Sequence, residues 1–317
     1  MAEGLGNARG RKQARGGGIV LSVAQSSKIP SFPRRREPDL GKRDDERKLG
    51  PRLRGDDGFV GDVGLSSIAA NGTLDGVSTI WQLPEEVPVA IMINSTPHAV
   101  MMATPANLED FVVGFALSEG LVAHSSYIGN VLVMPSGEGF SVDLSIAEGK
   151  LIRERIVSRS MEGRVGCGLC GIEEMADAIR MPGLKLPQPV ISTAAIAKAF
   201  ESLPSFQPMN ELNRTVHAAA WCSVDGAILL AREDVGRHNA LDKLIGAMAR
   251  ACTKPESGFV LMSSRCSFEL VQKCATVGIG ALATISAPTA LALKLANQAG
   301  LKLAALSKQG IMIFDGA

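Results

Sequence analysis

The strongest constraint on the fold lies between His217 and Phe314, where short, almost uninterrupted apolar runs alternate with amphipathic segments of helical length. HAAAWCSV, a turn at Asp225–Gly226 and AILLAR read as a β-hairpin. GFVLMSS, ALATIS, LKLAAL and IMIF read as further strands, with helices expected at about 236–251, 267–276 and 288–299. Strands apolar on both sides must be covered on both faces, which calls for a parallel sheet between two layers of helices. An α/β fold, a three-layer α/β/α sandwich, is therefore expected over residues 191–317. Its first helix is STAAIAKAFESL, with Ala195, Ile196, Ala199, Phe200 and Leu203 on the apolar side.

Upstream, residues 78–158 read as an N-terminal α+β subdomain. STIWQL, VPVAIMIN and HAVMMAT are β-rich runs, with a turn at Ser95–Pro97 between the last two. Thr104 and Pro105 look like a cap and first-turn proline for a helix that carries Leu108, Phe111, Val112, Phe115 and Ala116 on one side and stops at Gly120. NVLVMP follows, and GFSVDLSI then sets Phe140, Val142, Leu144 and Ile146 on one face of a strand.

Residues 1–77 differ in kind. The first 75 residues hold 14 Lys plus Arg and 10 acids in a Gly- and Pro-rich stretch, and they read as a disordered basic extension. The whole chain has a net charge of +1 and only 4% aromatics, which argues against a nucleic-acid partner. No apolar run approaches the ~18 residues of a membrane span. RGRKQARGGG before Ile19–Ala24 is too short in its apolar part for a secretory start, so the protein is read as cytoplasmic.

Three stretches carry more chemistry than folding needs. The first is Gly166-Cys167-Gly168-Leu169-Cys170-Gly171, in the loop and connection 159–190. Two thiols three positions apart on glycine-rich backbone suit redox, metal or sulfur-carrying chemistry. Zinc would need one or two more ligands, and a second CxxC is absent. The HxE of zinc deaminases is also missing: the nearest upstream histidine, His124, is followed by Ser125 and Ser126. Cys222, Cys252, Cys266 and Cys274 lie in apolar or helical runs and read as small buried hydrophobes.

The second stretch is a pair of strand-to-helix junctions. Ser263, Ser264 and Arg265 follow one strand, Ser286 follows the next, and Pro288 opens a helix. In a parallel sheet both junctions fall on one edge, where helix amides, hydroxyls and an arginine favour an anion or phosphate, although helix capping alone also explains the serines. The third, Arg232 to Lys243, packs six charged residues and a histidine into one helix start. Some of these are expected to pair locally, while Glu233, Asp234, Arg237, His238 and Asn239 read as candidate site residues. His217, in an apolar strand, reads as a hydrogen-bonded core histidine.

Taken in order, MATPANLEDFVVGFALSEG (102–120), GCGLCG (166–171), REDVGRHNALDKLIG (232–246), SSRCSFELVQK (263–273) and ISAPTALALKLA (285–296) resemble the FdhD/NarQ family of formate dehydrogenase accessory sulfurtransferases, from about Ser78 to Phe314. The resemblance implies a cytidine-deaminase-like sandwich without the deaminase zinc, and a homodimer. It implies that sulfur is taken from a cysteine desulfurase as a cysteine persulfide and passed to the molybdenum cofactor, bis-molybdopterin guanine dinucleotide, before insertion into the formate dehydrogenase catalytic subunit. Cys167 would then carry the persulfide, with Cys170 as its partner. The cofactor site is expected among Ser264, Arg265, Lys273, Ser286, Pro288, Thr289, Arg237, His238 and the last strand, Ile311, Met312, Ile313, Phe314, Asp315 and Gly316. The alternative is a non-catalytic cofactor-binding chaperone in which the CxxC merely holds a loop. Two departures from the family pattern stand out: Asn213-Arg214-Thr215-Val216-His217 replaces an expected Thr-Gly-Gly run before the histidine, and Phe314 replaces a tyrosine.

Overall fold

The computed structural model describes residues 67–74, 77–155 and 186–314. Residues 1–66, Cys167, Cys170, Asp315 and Gly316 lie outside the described residues.

Six strands form the larger sheet: β7 (His217–Ser223), β8 (Ile228–Asp234), β9 (Gly258–Cys266), β10 (Ala281–Pro288), β11 (Lys302–Ser307) and β12 (Gly310–Phe314). Their order is β12-β11-β10-β9-β7-β8. Only β9, β10 and β11 run parallel, while β7, β8 and β12 are antiparallel to their neighbours. The reason is connection length. Turns of a few residues can only reverse a chain, whereas the parallel strands are joined by α5 (Phe268–Thr276) and α6 (Ala290–Ala299).

The period-2 alternation of these strands sorts their side chains onto two helical layers. Trp221, Val260, Met262, Leu282 and Leu303 pack with α4 (Arg237–Arg250), α5 and α6. Ala218, Ala220, Cys222, Phe259, Leu261 and Ala283 pack on α2 (Thr193–Ser202), whose buried side is the expected Ala195, Ile196, Ala199 and Phe200. The hydroxyl of Ser192 caps α2 by accepting from the Ala195 amide at 3.1 Å. The three-layer sandwich read from the sequence is the fold found.

The smaller sheet contains β3 (Val87–Ile93), β4 (Thr96–Ala103), β5 (Ile128–Ser136) and β6 (Gly139–Ile146) in the order β4-β3-β6-β5. Its core is built by Val89, Ile91, Val142 and Leu144 against Phe111, Val112 and Phe115 of α1 (Leu108–Ser118). The start of α1 differs from expectation. Its N-cap is Asn107 in the left-handed region, φ 53°, and Thr104 is committed to other contacts described below.

The expected extension of residues 1–77 also needs correcting at its end. Ser67–Leu74 form β1, paired antiparallel with β2 (Val77–Pro84) in a two-stranded ribbon. Cross-strand pairs such as Ile68 with Leu83 and Ala70 with Trp81 supply contacts that the short, Gly-interrupted run SIAANGTL does not advertise alone.

The two halves meet where α1 crosses α4. A Cβ at Gly114 would strike the backbone carbonyl of Asp242, and one at Gly246 would strike that of Asp110. The helices therefore touch backbone to backbone. Gly114→Ala is expected to force them apart and to lower stability by about 1–3 kcal/mol, the usual cost of overpacking a filled interface, read as a drop in the urea midpoint.

Candidate functional site

The carboxyl edge of β9 and β10 is where the two expected junctions meet. In the parallel ladder Ser286 lies opposite Arg265 and Pro288 opposite Cys266, with register shifts on either side of Ser286. The strands run further than the sequence suggests, so Arg265 sits on the end of β9 rather than in the following turn. Its side chain is exposed, as is that of Ser286. Ser263 ties this end to β7 by accepting from the Ala218 amide at 2.7 Å, and Ser264 donates to the Arg265 carbonyl at 3.1 Å.

Two neighbouring elements add to the same edge. His217 begins β7 and pairs with Asp234 at the end of β8, after which α4 starts at Arg237. His238 is buried, with Nε2 3.5 Å from the Ser267 hydroxyl and 3.9 Å from the Glu269 carboxylate. Arg237 is half-buried, and its Nε has no hydrogen-bond partner among the described residues. Burial holds the His217 pKa below its ordinary value; the Arg237 charge adds to this and Asp234 opposes it. Neither α4 nor α5 has a side-chain cap, since their N-cap residues are Gly236 and Ser267 without a capping bond, and their first-turn amides remain directed at this edge. Arginines and uncapped amides together make a surface suited to an anion. Thr289 is spent differently, because its hydroxyl caps α6 by accepting from the Ala292 amide at 3.2 Å.

The structure does not bring every expected site residue here. Lys273 is buried, and its ammonium donates to Ser118, Glu119 and Asp242 at 2.9–3.0 Å, on the side of α5 that meets α1 and α4. Burial works against this charge, but Asp242 and Glu119 outweigh it and hold the Lys273 pKa above its ordinary value. Burial likewise lifts the Asp242 carboxyl to about 6, with Lys273 and the Ser118 hydroxyl opposing. The last strand also diverges. Phe314 pairs with Leu303, which pairs with Leu282 near the start of β10, so Phe314 stands at the amino edge. Four residue steps at roughly 3.3 Å each separate it from the carboxyl edge that β12 leaves at Gly310. Ile311 and Ile313 pack towards α2, Phe314 packs on the opposite face, and Met312 is exposed.

The charged helix start at 232–243 proves to be mainly an internal clamp. Asp234 accepts from Lys243 at 2.6 Å, from the Thr104 amide at 3.0 Å, and from Gly236 and Asn239 at 2.8 and 2.9 Å. Lys243 also donates to the Thr104 carbonyl, and the Thr104 hydroxyl accepts from the Val235 amide. Arg232 grips Asp110 of α1 at 2.7 Å, and Glu233 accepts from the Met209 and Asn210 amides at the start of α3 (Pro208–Asn213). Nothing in the local pattern of Thr104, Asp110 or Lys243 shows that each has a partner over 120 residues away in sequence. Of this stretch, Arg237 and His238 remain at the open edge.

Arg214, in place of an expected glycine, adopts φ 55° at the end of α3, a conformation glycine takes freely and other residues at a cost of about 1–2 kcal/mol. Of the other cysteines, Cys222, Cys266 and Cys274 are buried as expected, whereas Cys252 is exposed. Burial pushes the Cys222 and Cys266 thiols up to about 12 and raises Cys274 as well, so these three stay protonated at neutral pH. Among the described residues no group of three or more His, Cys, Asp or Glu is placed to hold a metal ion, and no helix is long and apolar enough to cross a membrane.

A sequence model of the FdhD/NarQ family matches residues 84–316, which includes both sheets and the edge just described. The chain belongs to the FdhD/NarQ family. It is 46% identical over 229 residues to the sulfur carrier protein FdhD of Cupriavidus necator, covering 72% of this chain and 80% of that relative. It is 47% identical over 251 residues to the protein of the same name from Chromobacterium violaceum, covering 78% and 93%. The fold is similar to a crystal structure of a candidate formate dehydrogenase accessory protein from Desulfotalea psychrophila, with a TM-score of 0.62 and 24% identity, covering 78% of this chain and 96% of that one. The family match begins at residue 84, so the β1 strand and most of β2 lie outside it.

Proposed function

We propose that this protein is a sulfur carrier that serves formate dehydrogenase. Cys167 accepts sulfur from a cysteine desulfurase and delivers it to the molybdenum cofactor, bis-molybdopterin guanine dinucleotide, held as substrate at the carboxyl edge of β9 and β10. The observation that supports this most is the family match together with the sulfur carrier relatives, joined to an intact CxxC in this chain. The buried thiols Cys222, Cys266 and Cys274 are too strongly protonated for such chemistry, which favours the CxxC pair over them.

In the loading step the Cys167 thiolate attacks the terminal sulfur of the desulfurase persulfide. A new S–S bond forms on Cys167, the desulfurase S–S bond breaks, and the desulfurase leaves as thiolate. Release as sulfide takes two electrons. The Cys170 thiolate supplies them by attacking the inner sulfur of the Cys167 persulfide, which expels hydrosulfide and leaves a Cys167–Cys170 disulfide for a cellular thiol reductant to reopen. At the edge, Arg265, Arg237 and the first-turn amides of α4 and α5 receive the cofactor's phosphates, with Ser264, Ser286 and His238 as polar neighbours. Catalytic-subunit docking and a homodimer complete the reading by family resemblance.

Incubation with cysteine and a cysteine desulfurase, followed by intact-mass analysis and peptide mapping, is expected to show the mass of one added sulfur on Cys167. If no sulfur is added there, the carrier reading fails and the cofactor-binding chaperone takes its place.

A further inference from the structure

We infer that a cavity at the amino edge of the larger sheet binds a small amphipathic organic anion, a molecule with an apolar body and one acidic head. The cavity holds about 460 Å³, within the roughly 300–1,000 Å³ of small-molecule sites. It lies at the end of the sheet opposite Arg265 and Ser286, because its wall includes Pro255, which precedes β9, and Ile279, which precedes β10. The site is therefore independent of the sulfur-transfer reading.

The lining separates by chemistry. Leu117, Val122, Ile245, Met248, Val277 and Ile279 give an apolar floor drawn from α1 and the loop after it, α4 and the α5–β10 connection. Arg155 and His124 stand at the rim, and no acidic residue lines the cavity among the described residues. Glu119 is the nearby acid of the α1 terminus, and its carboxylate is spent on Lys273 at 3.0 Å. The His124 ring is set by its own turn. Nδ1 accepts from the Ser126 amide at 3.1 Å, so the neutral ring carries its proton on Nε2 and offers a donor. Gly120 turns the chain at the rim with φ 70°, beside Arg155 and Thr276. A dry floor with a guanidinium and an imidazole N–H above it selects against cations and sugars. It complements a carboxylate or sulfonate on a hydrocarbon body.

The test uses the full chain and two ligands of one length, octanoate and octanol, each titrated as a competitor of the fluorescent anion 1-anilinonaphthalene-8-sulfonate. Octanoate is expected to displace the dye and to bind more tightly than octanol. Arg155→Ala is expected to weaken octanoate about tenfold while leaving octanol unchanged, as loss of a charge-assisted contact requires. Thr276→Trp, a surface change at the mouth of the cavity, is expected to abolish binding of both at an unaltered thermal midpoint. The inference is overturned if octanoate does not bind, if it binds no better than octanol, or if the folded Thr276→Trp protein retains it.

Discussion

Cys167→Ala is expected to abolish maturation of formate dehydrogenase while leaving the protein folded. The assay is formate dehydrogenase activity in cells whose only copy of this protein is the variant. An alanine has no nucleophile to take the sulfane atom, and no described cysteine offers a substitute pair: three are buried with raised pKa values, and the exposed Cys252, in the connection between α4 and β9, has no second thiol at CxxC spacing. Folding should survive because the main hydrophobic clusters are built by residues 89–146 and 191–304. Cys170→Ala separates the two steps. It is expected to accept sulfur on Cys167 and fail to release it, so the added mass persists. Full activity in cells carrying Cys167→Ala would sink the carrier role.

The second large effect is on stability. Lys243 is fully buried, with its ammonium 2.6 Å from Asp234 and 2.9 Å from the Thr104 carbonyl. Burial pulls the Lys243 pKa down, Asp234 pulls it up, and the pair holds only while both partners are present. Lys243→Ala strands a carboxylate inside the protein and is expected to cost about 3–5 kcal/mol, seen as a lowered urea midpoint. The double variant Asp234→Asn, Lys243→Met removes the stranded charge and should lose less than the single change. A single variant that loses under about 1 kcal/mol would show that the ion pair does not clamp the loop at Thr104.

The larger sheet was legible because its strands and helices are each written in local pattern: Phe259 to Met262 alternate between faces, and Ala195, Ile196 and Ala199 recur at helical spacing. The two serine-bearing junctions were legible for the same reason, since in a parallel sheet consecutive strands must end on one edge. Long-range partnerships were not. Asp110 of α1 pairs with Arg232 of β8, and Asp242 of α4 with Lys273 of α5, partners that no local pattern joins, so a cluster of charges that looked like a site turned out to be mainly a structural clamp. Lys273 was misplaced by the same blindness, because a helix pattern fixes which residues share a face but not which neighbour that face meets. Phe314 was displaced by strand direction, which depends on the two-residue turn at Lys308–Gln309 rather than on the strand's own composition.

The glycine contact between α1 and α4 limits how the molecule can work. A seam of main chain against main chain has no rotamer to change and no side chain to slide, so it offers neither a hinge nor a shear plane. The two sheets must then turn as one block. Whatever rearranges has to do so at the periphery, and a partner that grips either sheet thereby orients the other.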